Sequence, residues 1–228
     1  MTLSIIIPVL NEAERIEAAL HALAPLRKGE AEVIVVDGGS ADDTLARATP
    51  LASRAVTAAR GRAAQMNAGA ATASGDMLLF LHADTRLPDD VDRHIANALN
   101  ASERVWGRFD MQFENGALPL IACMMNIRSR LTGIATGDQA IFVRRDAFER
   151  AGGFPPIALM EDVAISARLK RLSAPVCLRA RVTTSPRRWQ QNGAVRTVLL
   201  MWRLRLAFFF GARPETLARA YGYAGPEN

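Results

Sequence analysis

Acidic residues that directly follow hydrophobic runs are the first candidates for chemistry, because the end of a buried strand both fixes a side chain and presents it to solvent. Asp37 follows Val35-Val36 and precedes Gly38-Gly39, a carboxylate at a strand tip beside backbone that lets a ligand come close. A base or ribose can dock there, although a plain turn and helix cap uses the same residue types. Asp84 closes the run Leu78-Leu79-Phe80-Leu81-His82-Ala83. An oxygen ligand there suits Mg²⁺ or Mn²⁺, since magnesium is held by one or two carboxylates together with substrate phosphates; the alternative is a turn aspartate ahead of Pro88. Glu161-Asp162 follows Pro155-Pro156 and opens an amphipathic segment, so both acids sit near a helix N-terminus, where the dipole favours negative charge. A positioned Asp can also take the proton from an attacking hydroxyl. Arg187-Arg188-Trp189 sets two forked phosphate donors beside an indole face that fits a sugar ring or a lipid; the plainer reading is a surface patch with one packed Trp.

The elements that must carry these groups alternate. Short aliphatic runs at Leu3 to Val9, Glu32 to Val36, Arg54 to Ala58 and Met77 to Leu81 are separated by stretches long enough for helices, a βαβ pattern. Continuous runs such as Ile5-Ile6-Ile7 imply strands buried on both faces, as in a parallel sheet covered by helices. Ligands of such sheets bind beyond the carboxyl ends of the strands, where the polar ends Pro8 to Glu12, Asp37 to Thr44 and His82 to Thr85 fall. Asn11 with Glu14 predicts a capping box, Ser40 with Asp43 a weaker one, and Pro88 a helix start. Ile16, Leu20 and Leu23 share one helical face. Val105 to Phe113 alternates and predicts a later strand with one polar face, hence a mixed sheet. The polar, glycine-rich stretch from Ala58 to Asp76 is expected to line the same cleft.

The chain has 228 residues, half of them hydrophobic, enough for one α/β core and too few for two full domains. Cys123 and Cys177 stand far apart without metal spacing, which fits a reducing cytoplasm and excludes a zinc site or a disulfide framework. No signal peptide is visible at the N-terminus, which reads as a strand. The stretch Val195 to Phe210 is broken by Arg196, Arg203 and Arg205 and falls short of the roughly 20 apolar residues of a spanning helix. It is too apolar all round for a simple amphipathic helix, so burial in the core or in a dimer is expected, with a membrane surface as the alternative. Arg144 to Arg213 holds 14 basic residues against 4 acidic ones, a field that favours a diphosphate, an acidic lipid surface or a phosphorylated acceptor. No nucleic-acid partner is expected.

Taken in order and spacing, these elements resemble the family 2 glycosyltransferases of the GT-A fold over roughly Leu3 to Trp189. Ser4-Ile5-Ile6-Ile7-Pro8-Val9-Leu10-Asn11-Glu12 is similar to the family's first strand, Val35-Val36-Asp37-Gly38-Gly39-Ser40-Ala41-Asp42-Asp43-Thr44 to its second-strand signature, and Gly61 to Asp76 to its Gly-Arg, Asn-x-Gly and Ala-x-Gly-Asp stretch. The resemblance implies a Rossmann-like, mixed but mainly parallel sheet flanked by helices over residues 1–193, and a helical C-terminal appendage over 194–228 that is not an independent domain. It implies that Asp37 binds the base, that Pro8, Asn11 and Glu12 shape the nucleoside pocket, and that Gly39, Arg62, Ala83 and Asp84 approach the nucleotide. Asp84 would bind a divalent cation, Mn²⁺ or Mg²⁺. His82-Ala83-Asp84 stands where the family has Asp-x-Asp, so His replaces the first acid. Glu161-Asp162 resembles the family's Glu-Asp pair, whose Asp is the catalytic base, and Gly137-Asp138-Gln139 resembles the segment before it. Gly137, Asp138, Glu161, Arg187, Arg188 and Trp189 would face the acceptor or the diphosphate. Arg187-Arg188-Trp189 is similar to the Arg-Trp end of the processive enzymes' Gln-x-x-Arg-Trp motif, but Ser185 occupies the Gln position, so a single transfer is expected. The chain also resembles a small bacterial subgroup associated with arsenosugar biosynthesis.

The activity so implied is an inverting transfer of a sugar from a nucleotide diphosphate, UDP by expectation, to an acceptor hydroxyl, in the cytoplasm or at the inner face of the membrane. A nucleotidyltransferase is the nearest rival, but its glycine-rich basic loop is missing between Val9 and Ile16. A dinucleotide oxidoreductase lacks its Gly-x-Gly-x-x-Gly. A silent nucleotide-sugar-binding scaffold is the reading from a different class.

Overall fold

The computed structural model describes residues 1–223, apart from the side chain of Arg188. The chain runs β1 (Leu3–Val9), α1 (Ile16–Ala22), α2 (Ala24–Lys28), β2 (Glu32–Asp37), α3 (Thr44–Ala48), β3 (Arg54–Thr57), α4 (Arg62–Thr72), β4 (Met77–Phe80), β5 (Thr85–Arg86), α5 (Val91–Asn100), β6 (Trp106–Phe113), α6 (Pro119–Thr132), β7 (Ile141–Arg144), α7 (Arg145–Arg150), α8 (Glu161–Leu169), β8 (Val176–Thr184), α9 (Arg187–Asn192), α10 (Ala194–Phe209) and α11 (Pro214–Tyr221). The four strands expected first appear within a residue of their predicted ends.

All eight strands form one mixed sheet in the order β3-β2-β1-β4-β7-β6-β8-β5. β1 pairs parallel with β2 and β4, β2 with β3, and β6 with β8. β7 is antiparallel to both of its neighbours, β4 and β6. Side-chain alternation divides the hydrophobic run of β1 between two cores. Ile5 and Ile7 pack with Ile16, Leu20 and Leu23 on one side of the sheet, and Ile6 packs with Ala63, Met66 and Ala70 of α4 on the other. Gly69 sets that second distance: a Cβ there would lie 2.4 Å from Cγ2 of Ile6, so only glycine lets α4 lie this close to the sheet.

β6 corrects one expectation. Its polar side chains do alternate with the apolar ones, but the polar face is covered by α6 rather than by water. Arg108 is fully buried and Asp110 nearly so; Asp110 takes ion pairs from both Arg108 and Arg130, the arrangement that makes buried charge tolerable.

The helix starts differ too. α1 begins at Ile16, without a side-chain cap, because Asn11 is committed elsewhere: at φ 54° it accepts from the Ala41 amide at 2.9 Å, while its own amide donates to Ser40 Oγ. Ser40 is likewise held by Asp37 rather than capping α3, and α5 starts at Val91, three residues after Pro88.

α10 is neither wholly buried nor wholly apolar. Thr197 and Leu204 are buried, and Leu204 and Leu217 pack against Leu159 and Met160 at the start of α8. The opposite face exposes Val195, Leu199, Trp202, Leu206 and Phe209, a stripe at helical spacing. α6 exposes a second stripe, Leu120, Met124, Ile127 and Leu131. No helix among the described residues is long and apolar enough to cross a membrane.

Candidate active site

Topology brings the polar segments to one edge. β7 runs antiparallel to β4, with Ile141 opposite Phe80, so the turn Gly137–Gln139 that precedes β7 lies beside His82, just past the end of β4. β6 and β8 end together, Phe113 opposite Thr184, and Thr85 pairs with Thr184. Ser185 therefore follows at the same edge, its amide donating to the Asp84 carbonyl at 3.3 Å. A cleft of about 760 Å³ opens there, lined by Glu12, Arg62, His82, Asp84, Gly137, Asp138, Glu161, Asp162, Arg187 and Trp189 among others.

Asp162 is held by backbone. Its Oδ2 accepts from the Gly137 amide at 3.0 Å and its Oδ1 from the Val163 amide at 2.7 Å. Each oxygen keeps a further lone pair for a proton. Met160, just before the pair, has φ 70°, a sparsely populated conformation for a residue with a side chain; it is fixed from outside by Leu204 and Leu217. Glu161 is 5% exposed. Burial, and then the charge of Asp162, raise its carboxyl to about 7 against the pull of Arg62. Desolvation thus outweighs the helix N-terminus, which alone would lower it.

His82 Nδ1 lies 3.6 Å from Asp138 Oδ1. Burial alone would raise the Asp138 carboxyl, but the hydrogen bond and charge of His82 hold it below its ordinary value, helped by Arg62 and Arg205. Gln139, fully buried, ties the turn to α6 through Asn126 Oδ1 at 3.3 Å. Glu12 is raised by burial and by the nearby charge of Asp84, against Arg15 and Arg187; Arg15 Nη1 pairs with Glu12 Oε2 at 3.3 Å.

Asp84 is exposed in the cleft, with Thr85 Oγ1 donating to its Oδ1 at 3.3 Å. No group of three or more His, Cys, Asp or Glu side chains able to cage a metal is found among the described residues. A divalent cation that keeps substrate phosphates as ligands needs only one or two carboxylates, and Asp84 with neighbouring Glu12 supplies that number.

Other predicted residues fall outside the cleft lining. Asp37 is 2% exposed, with its Oδ2 accepting from the Gly39 and Ser40 amides, both at 2.9 Å, and its Oδ1 from Ser40 Oγ. Gly39, at φ +86°, makes that turn possible. Pro8, Asn11 and Ala83 shape the strand-end loops without lining the cleft. The side chain of Arg188 lies outside the described residues. Of the polar stretch from Ala58 to Asp76, Arg62 alone reaches the cleft, which corrects the expectation that the whole stretch lines it. Gln65 is structural, donating to the Val9 and Val36 carbonyls at 2.8 Å each and so locking the ends of β1 and β2. Asn67 clasps Phe154 through both of its backbone groups. Arg62 also lies under the Tyr223 ring, 5.4 Å from its centroid, a cation–π distance.

Three charged cleft residues were not singled out by sequence as site residues: Arg15 just before α1, Arg128 of α6 and Arg205 of α10. Arg128 and Arg205 each interrupt a largely apolar helix beside a second arginine, Arg130 in α6 and Arg203 in α10, and that interruption is the one signal that marks them.

Comparison with known proteins gives the family and the fold. The model of glycosyl transferase family 2 matches residues 4–148. A PGL/p-HBAD biosynthesis glycosyltransferase of Mycobacterium bovis is 33% identical over 166 residues, 66% of this chain and 62% of that protein. The chain spans between 29% and 62% of the length of such curated relatives. Among solved structures, S. aureus TarS in complex with UDP-GlcNAc superposes with a TM-score of 0.68 at 21% identity, over 81% of this chain and 58% of that one. Glucosyl-3-phosphoglycerate synthase from Mycobacterium tuberculosis, in complex with Mn²⁺, UDP and glucosyl-3-phosphoglycerate, superposes with a TM-score of 0.61 at 22% identity, over 99% of this chain and 81% of that one.

Proposed function

The chain belongs to glycosyl transferase family 2, and from that premise we propose that it transfers a sugar from a nucleotide diphosphate, UDP in the first instance, to an acceptor hydroxyl with inversion at the anomeric carbon. The observation that carries this reading is the pairing of Asp162, fixed by the Gly137 and Val163 amides, with Asp84 in the lining of one cleft. A base and a phosphate-side carboxylate in a common cleft are what a one-step displacement requires.

Asp162 accepts the proton of the acceptor hydroxyl as its oxygen bonds to the anomeric carbon. The bond from that carbon to the diphosphate oxygen breaks, and its electron pair leaves with the nucleotide. Arg187 and Arg15 oppose the negative charge growing on the leaving diphosphate. Asp84, with Glu12 beside it, would hold Mn²⁺ or Mg²⁺, whose chemistry when bound is to neutralise that same charge. Mn²⁺ and UDP in the structurally similar synthase support this choice of cation and nucleotide. His82 and Asp138 together hold the turn that aims Gly137 at Asp162. Asp37 and Gly39 serve the nucleoside end through the turn they build, with Pro8, Asn11 and Ala83 shaping the loops around it.

Residues 1–193 form the transferase unit in this reading and 194–228 an extension, whose described part, to Tyr223, shares a core with Leu159 and Met160. The exposed apolar face of α10 is flanked by the exposed Arg196, Arg203 and Arg213, a combination suited to the anionic inner surface of a membrane.

The test is release of nucleotide from a panel of UDP- and GDP-sugars with Mn²⁺ or Mg²⁺. Metal-dependent UDP release with inverted product supports the proposal; pyrophosphate release from a nucleoside triphosphate, or no turnover with any sugar nucleotide, defeats it.

A further inference from the structure

The cleft has a second cationic pole that the transfer reaction, as described, does not use. Arg128 comes from α6 and Arg205 from α10, and both reach the cleft wall near Asp162. Arg128 Nη1 donates to the Ile134 carbonyl at 3.4 Å. Its Nε and Nη2, and the Nε of Arg205, are shut off from solvent and find no partner among the described residues. Buried guanidinium donors without acceptors are costly, and so are two like charges side by side. Both costs fall on Arg128: burial first, and then the charge of Arg205, lower its guanidinium to about 10, with Asp162 and Asp138 opposing the shift. Arg108 also leaves its Nε without a partner, but its charge is met by Asp110, as is that of Arg130, whereas no carboxylate among the described residues forms an ion pair with Arg128 or Arg205. Both residues line a cleft.

Its place in the cleft indicates the ligand. The charges acting on Glu12 are those of Arg15, Asp84 and Arg187, so the diphosphate end has its own cations. Arg128 is coupled instead to Asp162 and Asp138, and Arg205 to Asp138. The second pole therefore belongs with the base, where the acceptor enters. Met125 of α6 and Val198 and Met201 of α10, from the same two helices as the arginines, also line the cleft, and in apolar surroundings a charge-assisted hydrogen bond gains strength.

We propose that Arg128 and Arg205 form an anion subsite for the acceptor, so that the hydroxyl compound presented to Asp162 also carries a phosphate group. The proposal rests on the transferase reading for its placement of Asp162. The phosphate belongs either to a soluble phosphorylated acceptor or to a lipid headgroup, and the guanidinium forks would treat both alike.

The test follows thermal unfolding of the protein with UDP and Mg²⁺ saturating the donor end, so that added anion has only the second pole to occupy. Inorganic phosphate, at matched ionic strength against chloride, raises the Tm of the wild type by roughly 3–5 °C at about ten times its Kd. Arg205→Gln and Arg128→Gln abolish the rise, and Arg205→Lys keeps part of it. In a second arm, phosphatidylglycerol vesicles replace inorganic phosphate, with phosphatidylcholine vesicles as reference. A response to vesicles that depends on Arg205 places the phosphate on a lipid; a response to inorganic phosphate alone places it on a soluble acceptor; either supports the subsite. No response in either arm, a response that survives in both Gln variants, or a tenfold loss of UDP affinity in both overturns it, the last because the arginines would then hold the donor. Wild-type protein that fails to bind UDP with Mg²⁺ instead counts against the transferase reading, and phosphate titration of the free protein still reads the subsite.

Discussion

The Cε1–Nε2 edge of the His82 imidazole lies against residue 137: a Cβ added to Gly137 would come within 2.4 Å of both atoms. The amide of that same glycine holds Asp162, so His82 is packed against the residue that orients the base we propose. Gly137→Ala should therefore destabilise the fold by about 1–3 kcal/mol through overpacking and lower kcat by displacing the Asp162 hydrogen bond. In Gly137→Ala/His82→Ala the clash is gone, and urea unfolding should show the two changes to be strongly non-additive. Simple additivity would mean that the ring contact does not matter.

Asp162→Asn keeps the size of the side chain but removes the base. Turnover should fall on the order of 10²–10⁴-fold, while UDP affinity measured by calorimetry stays within a factor of two or so of the wild type. Unchanged turnover would remove Asp162 from the mechanism.

Asp84→Ala should abolish the difference in UDP affinity between Mn²⁺ and chelator, because no three-carboxylate cage exists among the described residues to take over. A metal effect of equal size in wild type and variant would place the cation elsewhere.

Glu161 makes stability depend on pH. Its carboxyl is raised from 4.5 to about 7, so the fold favours the neutral form. That contribution is complete below pH 4.5 and is lost as pH rises through about 7. Glu161→Gln, neutral throughout, should match the wild type at pH 4.5 and exceed it by about 3 kcal/mol at pH 8. Urea midpoints at the two pH values read this directly; an equal difference at both would show that packing, not ionisation, separates the proteins.

Leu199→Ser/Leu206→Ser removes two exposed side chains from the outer stripe of α10 and leaves the inner face untouched. Sedimentation with vesicles containing anionic lipid should drop severalfold, with Tm and UDP affinity unchanged. Wild-type protein that stays in the supernatant with every lipid composition, or forms a stable dimer that the double variant breaks, would assign the stripe to a second copy.

The first strands of the sheet were legible in the sequence for a local reason. A hydrophobic run followed by Asp, Gly or Asn announces both a buried strand and its polar end, and β1, β2 and β4 fell where such runs lie. Helix starts were less legible because capping residues have rivals: Asn11 bonds the Ala41 amide rather than capping α1, and Ser40 turns to Asp37. A cap is a contest among nearby backbone donors, and which one wins depends on how close a second loop comes.

By itself the sequence determined the succession of strands β1 to β4 along the chain, its family, and the places of Asp84 just past a strand and Asp162 at a helix start, because these depend on residue type and spacing along one chain. Only the tertiary structure decided what surrounds them. The antiparallel direction of β7 puts Gly137 beside His82, β6 hides its polar face under α6, and α6 and α10 bring Arg128 and Arg205 to the same wall. Contacts between residues so far apart in sequence are set by packing of the sheet and helices, which no local pattern records.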